Sequence, residues 1–171
     1  NVIWDKTSEG SYAVNVLDIP VVVMGAKDMI VAASHDGILV ADRHQSSYLK
    51  ECMNGIDEKS RFDERRWGTV KTIDMNMEDE VQSITNRIKM LEGKETSYHK
   101  HLYHNENIVI ISGKGVLMTD EGTETLEPGK AYYLKAGEAH GIRAVDGDLR
   151  YIETLVGNLK QDDVERISME W

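Results

Sequence analysis

Residues 93–113 read GKETSYHKHLYHNENIVIISG, and residues 129–140 read GKAYYLKAGEAH. Side chains alternate along a β-strand, so His99 and His101 would share one face. Glu106 follows in the same stretch, and His140 stands at the start of a later strand-like segment. Three imidazoles and one carboxylate make an N/O set suited to a divalent metal ion, whether Zn, Mn, Fe, Ni or Co. Such a set leaves positions for water or substrate. Gly93, Gly113, Gly129 and Gly137 fall where turns are needed. A single histidine more often packs or faces solvent; the joint spacing of the four groups is what points to a metal. His104 lies off that spacing and reads as an exposed loop residue, with a substrate contact or general base as its alternative role. His35 and His44 lie outside the set.

Working outward, residues 108–112, 116–119, 123–127, 131–134, 142–145 and 149–155 have strand length and β-rich composition. Gly113-Lys-Gly115, Asp120-Glu-Gly122, Pro128-Gly129 and Asp146-Gly-Asp148 read as the turns between them. Residues 81–91 alternate imperfectly. Strands at this spacing without intervening helical periodicity predict an all-β sandwich or barrel. Toward the N-terminus, residues 20–24 and 29–33 are strand-like, and Asp36-Gly37 makes a hairpin turn into 38–41. Residues 42–54 carry Tyr48, Leu49, Cys52 and Met53 at helical spacing, with Asp42 as the cap, so Cys52 is expected to pack on a helix face. The polar run 54–66 has little to bury and reads as a linker. The chain therefore divides into 1–60, a small β-rich segment with one helix, and 61–171, a β domain.

The 171 residues are 40% hydrophobic and 29% charged, a globular composition. Thirty acidic against 20 basic residues give a net charge of −10, and neither 1–60 nor 61–171 is basic. Nucleic-acid binding is disfavoured. A phosphorylated small molecule is not, because two or three local cations suffice to hold one. No apolar run has the length of a membrane helix. One cysteine rules out a disulfide within the chain and fits a reducing cytoplasm. A start at Asn1 suggests a processed chain or part of a longer one.

The pattern Gly93-x5-His99-x-His101-x4-Glu106-x6-Gly113, followed by Gly129-x5-Lys135-x-Gly137-x2-His140, resembles the two cupin motifs. The second motif usually has proline where Lys135 stands. The resemblance implies a double-stranded β-helix, or jelly-roll barrel, with one metal held inside by His99, His101, Glu106 and His140. Flanking residues narrow it further. Arg66-Trp67-Gly68, the 106–113 strand, Ile152-Glu153 and the 159–166 tail resemble, in order, the C-terminal cupin of bacterial mannose-1-phosphate guanylyltransferases, the type II phosphomannose isomerase domain. Residues 22–43 resemble the end of the transferase region, so 1–60 is expected to be a nucleotidyltransferase remnant. The transferase's Gly-rich nucleotide loop is not among these residues.

The resemblance implies a metal-dependent isomerase acting on a sugar phosphate, mannose 6-phosphate and fructose 6-phosphate. Glu138 or His104 would serve as the base, and Lys135, Arg143 and Lys100 as phosphate contacts. Two family arginines are replaced, one by His104 and one by Gly141; Arg143, two positions past the second, is expected to share the face of His140. Those losses motivate a second reading, a non-catalytic sugar- or nucleotide-sugar-binding and assembly module. An iron oxygenase is a third. Exposed strand edges suggest a homodimer.

Overall fold

The computed structural model describes residues 1–55, 60–78, 80–159 and 163–171. Part of the expected linker (56–59) and part of the expected tail motif (160–162) lie outside the described residues. The chain divides into two compact units, Asn1–Arg61 and Phe62–Trp171.

The first unit is built on parallel pairing. β1 (Val2–Trp4) pairs with β3 (Val21–Val23), and β2 (Tyr12–Asn15) pairs with β4 (Met29–Ala33), both in parallel. Val2 faces Val21, nineteen residues on, and Tyr12 faces Ile30, eighteen on. An isolated parallel bridge joins Glu9 to Lys27 between them. Two successive passes of the chain thus stack as coils. The corner is tied by Asp5, whose carboxylate accepts from Thr7, Ser8 and the Gly25 amide and is held well below the usual range by those bonds. β5 (Ile38–Asp42) returns antiparallel to β4.

The expected helix over 42–54 shrinks to a 3-10 turn, Ser46–Tyr48, and a single α-turn, α1 (Leu49–Cys52), which buries no residue. Asp42 ends β5, and its carboxylate accepts the His44 amide rather than capping α1. Cys52 is exposed, not packed. A helix this short gains too little from its own hydrogen bonds to persist without an apolar surface beneath it.

The second unit is antiparallel throughout. Its strands are β6 (Phe62–Arg65), β7 (Gly68–Asn76), β8 (Gln82–Met90), β9 (Tyr98–His101), β10 (His104–Thr119), β11 (Gly122–Leu126), β12 (Ala131–Leu134), β13 (His140–Gly157) and β14 (Val164–Ser168). The segments expected as separate strands at 108–112 and 116–119 are one strand, β10, and those at 142–145 and 149–155 are one strand, β13. The two pair along nearly their whole lengths, from His104↔Gly157 to Thr119↔His140, with register shifts between Ile110 and Gly115. Gly113-Lys-Gly115 and Asp146-Gly-Asp148 therefore form no turns. They face one another across the ladder and bend both strands together.

This shared bend makes two sheets out of one strand pair. One half of β10–β13 continues through β8, β7 and β6 on one side and β12 on the other. The remaining half continues through β11 on one side and through β9 and β14 on the other. The inner faces close over Met90, Ile108, Ile110, Leu126, Leu149 and Tyr151, all at most 1% exposed. At roughly 1.5–3 kcal/mol for each fully buried large apolar side chain, this cluster is the main stabilising element of the unit.

Candidate metal centre

Three strand ends bring the histidines together. β9 supplies His99 and His101 on one face, β10 opens with His104 and Glu106 on one face, and β13 opens with His140. His140 and His99 are direct ladder partners. The ring centroids of His99 and His140 are 4.6 Å apart, and those of His99 and His101 are 4.9 Å apart. One ligand atom from each of His99, His101 and His140 lies within 4.8 Å of the others; the same holds for His101, His104 and Glu106.

The outer nitrogen of each of the three motif imidazoles has an acceptor. Nδ1 of His99 meets the Ser97 carbonyl at 2.7 Å, Nδ1 of His101 meets Asp163 Oδ1 at 3.2 Å, and Nδ1 of His140 meets the Glu138 carbonyl at 3.1 Å. A proton held at Nδ1 leaves Nε2 as the ligand atom. Nε2 of His101 and of His140 lie 3.2 and 3.0 Å from the two oxygens of Glu106. Glu106 is only 5% exposed. Burial pushes its carboxyl upward, but the surrounding imidazoles, His101 foremost, hold it well below the usual range. Burial likewise opposes charge on His101 and His140, yet Glu106 pulls both upward. His99 gets little such help; burial and then neighbouring His140 push it down to about 4.

His104 is not an exposed loop residue. It opens β10, is 5% exposed, and neither ring nitrogen has a hydrogen-bond partner among the described residues. Its Nε2 is 3.7 Å from Glu106 Oε1, and its Nδ1 is 3.3 Å from Asp163 Oδ2. Such a pair of orphaned, buried nitrogens costs stability unless something binds them. A donor set of imidazoles around a buried carboxylate, with an orphan beside it, fits a divalent cation.

The remaining expected residues stand apart from this cluster. Glu138 lies in the turn before β13, where its carboxylate accepts the Lys135 amide. Lys135 is exposed in the same turn. Lys100 alternates with His99 and His101 and so faces outward, paired with Glu165 at 3.2 Å. Arg143 does not share His140's face: three positions along a strand reverses the direction. It pairs with Glu95 and lies 4.5 Å from the Trp171 ring.

Two residues with no assigned role in the sequence reading belong to the site. Asp163, in the 159–166 tail, orients His101 and also accepts the Tyr103 amide at 2.9 Å. Glu153, on β13, lines the same cavity as His99, His101, Glu106 and His140, about 360 Å³ in volume. It accepts from Asn86 Nδ2 at 3.2 Å, and Asn86 in turn accepts from Thr72. Burial deep in the barrel, followed by the charge of Glu106, raises Glu153 to about 7. Its alternation with Tyr151 and Leu155 on a strand was the available signal.

Residues 86–155 match the family described as Cupin domain. Across most of its length the chain is similar to mannose-1-phosphate guanylyltransferase ManC of Salmonella typhimurium, 29% identical over 85% of this chain and 32% of that protein. It is 27% identical to the mannose-1-phosphate guanylyltransferase of Escherichia coli K12, over 86% of this chain and 32% of that one. The alginate biosynthesis protein AlgA of Pseudomonas putida is 25% identical over 84% of this chain and 31% of its own. The chain thus spans about a third of the length of the curated relatives it matches. Among solved structures, a cupin-2 domain protein from Rhodospirillum rubrum superposes with TM-score 0.51 at 17% identity, over 66% of this chain and 71% of that one. Lactobacillus farciminis oxalate decarboxylase superposes with TM-score 0.54 at 15% identity, over 64% and 34%. Both carry the fold alone. The barrel is a cupin double-stranded β-helix. Among the described residues no helix is long and apolar enough to cross a membrane.

Proposed function

From the premise of a cupin barrel in a chain similar to mannose-1-phosphate guanylyltransferases, we propose a metal-dependent isomerase that interconverts mannose 6-phosphate and fructose 6-phosphate. The observation that carries it is the shared cavity: imidazoles with their outer nitrogens anchored, buried Glu106, and a second carboxylate, Glu153, beside them. His99, His101, His140 and Glu106 would hold the ion. When bound, it supplies Lewis-acid polarisation of the sugar carbonyl.

The chain's own residues move the proton. Isomerisation takes a proton from C2 of the aldose and returns it to C1, while the hydroxyl proton passes from O2 to O1; no oxidant or other co-reactant is consumed. A carboxylate that shares the cavity with the reacting carbons can take the proton and return it. Glu153 is the base in this reading, replacing Glu138, which its turn holds away from the cavity. Asn86, fixed by Thr72, orients the Glu153 carboxylate. Val70, Ile88, Ile142 and Leu155 supply the apolar part of the cavity wall. Transfer of a guanylyl group is not assigned to this chain.

The second reading, a sugar-phosphate-binding module without turnover, draws on Gly141. An added Cβ there would lie 2.5 Å from Trp171 Nε1, so no arginine fits that position while Trp171 packs there. Isomerase assay and elemental analysis of the chain beside its His101→Ala variant separate the readings. Turnover with bound metal, both lost in His101→Ala, is expected. Metal bound without turnover leaves the binding module, and metal absent from both chains removes the isomerase.

A further inference from the structure

We infer that Arg166 and Arg65, on the rim of the metal cavity, hold the phosphoryl group of a phosphorylated sugar whose reacting end lies at the histidine cluster. This rests on the sugar-phosphate reading of that cavity and supplies the anion contacts that Lys100, Lys135 and Arg143 do not provide. Arg166 is the ladder partner of His99 across β14 and β9. Directly opposed residues of an antiparallel pair project from the same face. Its guanidinium is therefore sent to the side on which His99 faces the cluster, and it lines the cavity together with Arg65 and Trp67.

The same three residues and Ser97 also line a second, larger cleft of about 970 Å³, so the two spaces share a rim. That cleft carries Arg65, Arg66, Lys94, Arg143 and Arg166 against Glu64, Glu95 and Glu170, in a chain whose net charge is −10. Arg143 is taken up by Glu95, and Arg65 is shared with Asp63 at 2.6 Å. Among the described residues no carboxylate pairs with Arg166. The phosphate of a hexose 6-phosphate is separated from C1 and C2 by the length of the sugar. With those carbons at the imidazoles, the phosphate belongs at the rim and not at the metal. Two guanidiniums there offer planar, paired donors to a dianion, and Trp67 offers an apolar surface to the sugar between them.

The test is calorimetric titration of the whole Mn(II)-loaded chain with mannose 6-phosphate, mannose and inorganic phosphate. The unaltered chain is expected to bind mannose 6-phosphate at least tenfold more tightly than mannose. Arg166→Gln and Arg65→Gln should each weaken mannose 6-phosphate about tenfold, with mannose unaffected. Arg166→Lys should recover part of the loss, and Lys114→Gln, an equal charge change at the β10 bend outside both cavity linings, should change nothing. Metal content equal to that of the unaltered chain certifies the cavity in each variant; if Arg166→Gln loses metal, Arg65→Gln and Arg166→Lys carry the comparison. The inference is overturned if these variants bind mannose 6-phosphate undiminished. It is also overturned if mannose binds as well as its phosphate, or if the unaltered chain binds neither mannose 6-phosphate nor inorganic phosphate. Arginine-dependent binding without turnover leaves the inference standing while the isomerase reading falls.

Discussion

Glu106 and Glu153 are two carboxylates in one cavity with opposite preferences for a proton. Glu106 is ringed by imidazoles that favour its charge, whereas Glu153 is buried within reach of that charge and favours its neutral form. A carboxyl raised from 4.5 to about 7 keeps its proton in the fold while the unfolded chain has already released it. Stability from this residue is therefore full below pH 4.5, falls as pH rises toward 7, and stays low above it. In the metal-free chain, Glu153→Gln should raise the melting temperature by several degrees at pH 8 and change it little at pH 4, as thermal unfolding in chelator would read. Equal shifts at both pH values would remove the raised carboxyl from the account. At this scale the histidine spacing was legible, because strand alternation alone puts His99 and His101 on one side. The same alternation, applied to His104 and Glu106, would have marked His104 as inward; the short segment between β9 and β10 hid that it already belongs to a strand. Arg143 failed by the converse error, an odd step read as an even one.

The paired bend of β10 and β13 is the element that gives the barrel its two sheets. Gly113 sits at the bend with φ 82°, and a Cβ there would collide with the Asp148 carbonyl of the facing strand. Both the backbone conformation and the close approach require glycine. Gly113→Ala is expected to cost about 2 kcal/mol or more, measured by denaturant unfolding, because neither strand can relax without moving the other. A cost below about 0.5 kcal/mol would show that the bend is not constrained there. Local chemistry could not tell this feature from two turns. Gly-Lys-Gly and Asp-Gly-Asp suit a reversal and a bulge equally, and only their position opposite one another across a ladder decides. The hairpin at Asp120-Glu121 was legible, since Thr119 pairs with Gly122 across two residues, a length that admits little else.

Among the described residues, the core cluster lies within Phe62–Trp171, while Asn1–Arg61 buries only Val23 and Ala33 of its described apolar residues and leaves Tyr12, Val14, Val22 and Val40 exposed. Residues 62–171 expressed alone should unfold cooperatively and retain the metal content of the full chain; residues 1–61 alone should show no cooperative transition. Loss of cooperativity in the barrel piece would contradict a self-sufficient core. The fold class of the barrel could be read from regular strand spacing and its motifs. The stacked coils could not, because parallel partners eighteen or nineteen residues apart share no turn residue that announces them. That stacking also sets a rule for insertions and deletions. Adding or removing one full pass of about 18 residues returns every following side chain to the side it faces now. An odd number of residues added or removed within a strand turns the residues that follow it in that strand to the opposite face. Related chains should therefore align here with gaps of whole coils, and a gap of half that size should fall only in a corner.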